Sequence, residues 1–149
     1  MMILAFFGDD VAVQEKIVAQ LESTVKGFNI DHINNDRRLL STDQKIGRVQ
    51  RLVASRNRRD TLTVVTGITD VMEYQMLTQC GAVFCVLPGV LPSLLSRGHI
   101  PIDSSFLYVT HTPAALNTEA KRRVFMTPEE AFSECYSREM RLSKKGKRS

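Results

Sequence analysis

The side chains best suited to chemistry in this sequence are three carboxylates: Asp9 and Asp10, after the apolar run Met2–Phe7, and Asp70, after Thr61–Thr66. Hard divalent cations take carboxylate oxygens, so together these three read as a Mg²⁺ site. Apart, they cap helices and solvate turns, the commoner use of such residues, and no metal and no catalytic residue is assigned. Gly8 marks the strand-to-helix entry at which α/β proteins set phosphates on a helix N-terminus. The glycine patterns that do this, G-x-x-x-x-G-K-[ST] and G-x-G-x-x-G, are absent from the chain. Two adjacent carboxylates stand there instead and repel a phosphate unless a metal intervenes. The turn Thr66-Gly67-Ile68-Thr69-Asp70 offers backbone N–H groups that suit a small anion. A candidate ligand crevice is therefore Gly8, Asp9, Asp10, Thr66, Gly67, Thr69 and Asp70, with no cofactor assigned to it.

The other reactive types form no constellation. His32, His99 and His111 are far apart and lack metal spacing. Ser104, Ser105 and Cys80 have no neighbouring base that would make a nucleophile. Cys80, Cys85 and Cys135 form neither an even disulfide framework nor a C-x-x-C pair, which reads as reduced thiols in the cytoplasm. The N-terminal apolar run is too short for a signal peptide and meets two acids at once. No apolar stretch approaches the roughly 20 residues of a membrane span.

Charge is the stronger signal. Net charge is +4 over 149 residues, but it is segregated. Residues 37–59 carry Arg37, Arg38, Lys45, Arg48, Arg51, Arg56, Arg58 and Arg59 against Asp43 alone, a local +7. Residues 138–149 carry six basic residues against Glu139, a local +5, which leaves the remainder at −8. Two basic zones on an acidic body imply an anionic partner. Clusters of this kind bind phosphate backbones with salt-sensitive, largely sequence-independent affinity. A solvated face is their plainer meaning, and no zinc-finger, helix-turn-helix or aromatic-basic RNA motif accompanies them.

These residues must be positioned by alternating strands and helices. Met2–Phe7 reads as a buried strand and Val11–Glu22 as a helix, with Val11, Ile17, Val18 and Leu21 inward and Gln14, Glu15 and Gln20 outward. A half-exposed strand follows at Gly27–Ile33, then a helix capped by Ser41 or Thr42 and running to about Ser55. Thr61–Thr66 is β-branched and apolar, a central parallel strand turned by Gly67. A helix from Asp70 is stopped by Gly81, and Ala82–Leu87 is another buried strand. Ser105–Val109 is a strand, Thr112-Pro113 opens a short helix, and Val124–Met126 is extended. Thr127-Pro128-Glu129-Glu130 starts the last helix, with Thr at the N-cap and Glu130 at N3. That helix is expected to fray by Leu142, leaving a basic, disordered tail at 143–149 behind a single domain at 1–142. The alternation implies βαβ crossovers and a mostly parallel sheet of about five strands, covered on both faces. Its functional crevice lies at the carboxyl ends of the strands.

The stretch Leu62–Tyr74 with Gly81–Gly89 resembles the middle of the deoxynucleoside monophosphate kinases of phage and bacteria. There a strand ends in a turn, a helix carries an acidic–aromatic pair (here Glu73-Tyr74), and a Gly opens the next strand before Pro88-Gly89. The resemblance implies a P-loop-like or Rossmann-like α/β fold. It also implies lost phosphoryl transfer, because residues 8–16 hold no phosphate loop and Ile68-Thr69 stand where an Arg belongs. Lys16 lies inside the first helix and does not replace the loop lysine. Thr66-Gly67, Gly81-Ala82 and Leu87-Pro88 also resemble the closing part of a response-regulator receiver, with Leu87 in place of its Lys.

The expected function is that of a non-catalytic α/β protein, a pseudo-kinase from a mobile element, binding nucleic acid or an acidic protein surface through the basic helix and tail. The alternative is a nucleotide-binding or degenerate nucleoside monophosphate kinase-like enzyme using the crevice. A third reading is a self-associating structural protein, a homo-oligomer paired through sheet edges.

Overall fold

The computed structural model describes residues 2–7, 11–34, 41, 43–44, 47, 50–51, 61–68, 71–87, 98, 100, 102, 104–110 and 124–147, without the side chains of Val11, Asn34 and 142–147. Five strands, β1 (Met2–Phe7), β2 (Asn29–Asn34), β3 (Thr61–Ile68), β4 (Val83–Val86) and β5 (Leu107–Tyr108), form one parallel sheet in the order β2-β3-β1-β4-β5. Among the described residues, the helices α1 (Val11–Thr24), α2 (Val71–Gln79) and α3 (Pro128–Lys147) accompany them, and Asp43, Gln44, Gly47, Gln50 and Arg51 are also helical.

Every residue of β1 and β3 is buried, as continuous β-branched and apolar runs in a two-faced parallel sheet require. The period of two sorts them. Met2, Leu4 and Phe6 join Leu62, Val64, Val83 and Cys85 under α1 (Ile17, Val18, Leu21) and α3 (Ala131, Cys135). Ile3, Ala5 and Phe7 join Val65, Phe84, Val86 and Phe106 under α2 (Val71, Tyr74, Leu77). The three-layer α/β architecture is the one expected from the sequence.

Element ends follow local chemistry. Ser41 and Gln44 exchange reciprocal bonds, Ser41 N–H to Gln44 Oε1 at 2.9 Å and Gln44 N–H to Ser41 Oγ at 3.3 Å. This capping box resolves the choice between Ser41 and Thr42 in favour of Ser41. Thr127 and Glu130 make the same pair at the start of α3. Gly81, at φ 77°, closes α2: its N–H donates to the Thr78 carbonyl and that of Ala82 to the Leu77 carbonyl, a Schellman motif. A Cβ at Gly81 would meet nothing within 4 Å, so the demand is on the backbone alone. Gly81→Ala is expected to lower stability by about 1–2 kcal/mol in denaturant unfolding, with the slope unchanged.

Two expectations about element ends change. Gly67, also at positive φ (77°), does not end β3. The strand passes through it to Ile68, and the pairing with β1 slips by one residue, from Ala5 opposite Val65 to Phe7 opposite Ile68. This bulge turns Ile68 into the same layer as Val65. The last helix continues past Leu142 to Lys147. Lysines in a final turn favour the negative end of the helix dipole, so the basic composition that reads as disorder is compatible with helix. The short helix expected from Thr112 lies outside the described residues.

Candidate functional site

The bulge at Gly67 builds the polar part of the carboxyl edge. By slipping register it releases the Gly67 N–H from the sheet ladder, and Gln14 Oε1 accepts that N–H at 2.9 Å. Gln14 is 2% exposed, in the first turns of α1. Sequence reading placed it outward because it is polar. It nevertheless stands three, four and seven residues before Ile17, Val18 and Leu21, on the buried stripe. Since its oxygen is committed to Gly67, its amide nitrogen is left buried and without a hydrogen-bond partner, an unusual condition for a buried donor. Beside it, Thr66 is 2% exposed, and its Oγ1 lies 2.8 Å from Nε2 of His32 on β2. His32 stands two positions from Ile30, which packs on the α1 side of the sheet, so α1, β2 and β3 bring Gln14, His32, Thr66 and Gly67 to one corner. Removing the Gln14 side chain strands the Gly67 N–H under α1. Gln14→Ala is expected to cost about 1–3 kcal/mol of unfolding free energy, and native-state hydrogen exchange at Gly67 should accelerate with it.

Of the crevice predicted from sequence, the structure places Thr66 and Gly67 at this corner. Gly8, Asp9, Asp10, Thr69 and Asp70 lie outside the described residues. Sequence reasoning missed Gln14 and His32. The spacing of Gln14 carried the signal for the first, and the pairing of β2 with β3 that positions His32 is non-local. Glu73 of the acidic–aromatic pair is 1% exposed and is not free. Its neighbour Tyr74 packs on Phe84 at 4.8 Å and Phe7 at 6.1 Å between ring centroids. Among the described residues no group of three or more His, Cys, Asp or Glu is placed to hold a metal ion.

Of the first basic zone, Arg51 is helical and exposed, in line with Asp43, Gln44, Gly47 and Gln50. Arg37, Arg38, Lys45, Arg48, Arg56, Arg58 and Arg59 lie outside the described residues. In the second zone, Arg138 donates to Glu134 Oε1 at 3.0 Å and to the Ser105 carbonyl at 2.9 Å. It thereby ties α3 to the segment entering β5. Arg141 reaches the same Glu134 oxygen at 3.5 Å. Both arginines thus share one carboxylate; the side chains of Lys144, Lys145 and Lys147 lie outside the described residues. No described helix is long and apolar enough to cross a membrane.

Strand order sets the sheet apart from two common doubly wound arrangements. The receiver order is 2-1-3-4-5 and the classic dinucleotide order 3-2-1-4-5-6, whereas here β3 lies between β2 and β1. The fold is similar to the solution NMR structure of a de novo designed protein with a P-loop NTPase fold. The TM-score is 0.52 at 13% identity, covering 94% of this chain and 96% of that one. That likeness extends to the fold alone. No family model matches the chain, and no curated protein matches it.

Proposed function

We propose that this chain is a non-catalytic α/β protein that binds an anionic partner, nucleic acid ahead of an acidic protein surface, through residues 37–59 and the basic end of α3. The observation that carries this reading is the segregation of charge, +7 and +5 in two short zones on a remainder of −8. A merely soluble surface intersperses its signs, whereas segregated charge steers and holds an oppositely charged polymer. The helical, exposed Arg51 agrees with a basic helical face. The likeness of Leu62–Gly89 to the phage and bacterial kinases supports descent from that kind of enzyme without its phosphate loop, a pseudo-kinase of a mobile element. Three free thiols, Cys80, Cys85 and Cys135, support a cytoplasmic setting. The test is a titration of a labelled duplex of roughly 20 base pairs at about 50 mM salt, with the Arg48→Ala/Arg51→Ala variant alongside. Binding that weakens about tenfold in the variant supports the reading, and equal binding removes the 37–59 zone from it.

One observation favours a second reading, a nucleotide-binding or degenerate kinase-like protein using the carboxyl-edge crevice. The amide nitrogen of Gln14 is a donor left unpaired at that edge, beside the N-terminus of α1 where anions are favoured. A rise in melting temperature with a deoxynucleoside monophosphate and Mg²⁺ that is lost in Gln14→Leu would support it. No shift at millimolar nucleotide would remove it.

A further inference from the structure

Along α3, Phe132, Tyr136, Met140 and Lys144 recur every fourth residue, and Lys147 falls eleven after Tyr136. These positions share one helical face. Its first half is apolar: Phe132 packs against the core, while Tyr136 is 41% and Met140 42% exposed. Phe28, just before β2, meets Phe132 edge-on at 5.0 Å and Tyr136 at 5.8 Å, with interplanar angles of 68° and 78°. These edge-on contacts hold the Tyr136 ring in place while much of the residue faces solvent. The second half of the face holds the helical positions of Lys144 and Lys147.

We propose that this face is a single-strand nucleic-acid platform, with bases stacked on Tyr136 and Phe28 and phosphates drawn to Lys144 and Lys147. The inference rests on the polyanion reading above and names its partner class. Lysines alone hold single and double strands alike. An aromatic step ahead of them adds stacking that only unpaired bases offer, since a duplex hides its base faces and every base has one. An acidic peptide would satisfy the lysines but leave the rings without a flat partner.

The test uses the full chain and measures anisotropy of a labelled oligothymidine of about 20 nucleotides and of a duplex of equal length, at about 50 mM salt. The single strand is expected to bind at least roughly tenfold tighter than the duplex. Tyr136→Ala should weaken single-strand binding by about tenfold and leave duplex binding unchanged, while Tyr136→Phe retains the wild-type preference. The duplex arm also verifies that the variants are folded. Equal affinity for both forms, unaffected by Tyr136→Ala, would overturn the platform and leave the polyanion reading standing. Displacement of the oligonucleotide by polyglutamate at equal charge would overturn it in favour of an acidic protein partner. No binding of either nucleic acid at low salt would overturn both.

Discussion

Phe7→Ala is expected to lower the unfolding free energy by about 3–5 kcal/mol, in the upper part of the range for core truncations. Phe7 is 1% exposed and ends β1. Its ring stacks on Phe84 at 5.4 Å and Phe106 at 5.9 Å and leans on Tyr74 at 6.1 Å. Those three rings belong to β4, the residue before β5 and α2, so no single element can shift to fill the void. The residue across the register slip, Ile68, is itself fully buried and lies in the same layer. The cost is large against the roughly 5–15 kcal/mol that holds a domain folded. Phe28→Ala, in the partly exposed cluster with Phe132 and Tyr136 of α3, is expected to cost less than half as much. Urea titrations of the two variants check the ranking, and a Phe7→Ala loss below about 1 kcal/mol would contradict the packing described.

The second large effect is alkaline. Burial pushes the Cys135 thiol from its ordinary value of 9.0 up to about 11, with the Glu139 carboxylate adding to the rise. Its Sγ also lies 3.9 Å from the Ile3 carbonyl. Burial pushes Cys85 up as well, and Cys135 adds to it. The folded chain therefore keeps protons that the unfolded chain releases above pH 9, and stability falls as pH rises through that window. The contribution is whole below about pH 9 and is lost progressively towards pH 11, about 2–3 kcal/mol for Cys135 alone; Cys85 steepens the same fall. Unfolding free energies measured at intervals from pH 7 to 11 should decline more steeply in the wild type than in Cys85→Ala/Cys135→Ala. Parallel declines would mean that other groups carry the alkaline loss.

The legible features were those written locally. Continuous runs such as Ile3–Phe7 and Leu62–Val65 announce two-faced burial, Thr127 with Glu130 announces a helix start, and Gly81 announces a stop, because each depends on neighbours within a few residues. Gln14 was legible only if spacing outranks residue type. Its polarity pointed outward while its place on the stripe of Ile17, Val18 and Leu21 pointed inward, and burial followed the spacing. Gly67 declared a positive φ but not whether the strand resumed, since that depends on β1 lying beside it. Strand order was not legible, because β2 could pair with β1 or with β3 at similar connection lengths. The His32–Thr66 pair, which depends on that order, was hidden for the same reason. At the end of α3 the lysines argued for disorder by composition and for helix by dipole, and the chain stays helical to Lys147.

The central claim, that this chain holds an anionic polymer by its two basic zones, is tested most directly by affinity for a labelled oligonucleotide at about 50 and about 200 mM salt. If four or more phosphates are neutralised, affinity for a duplex should fall by at least about a hundredfold over that range. Binding that does not change with salt, or none at the lower concentration, would contradict it.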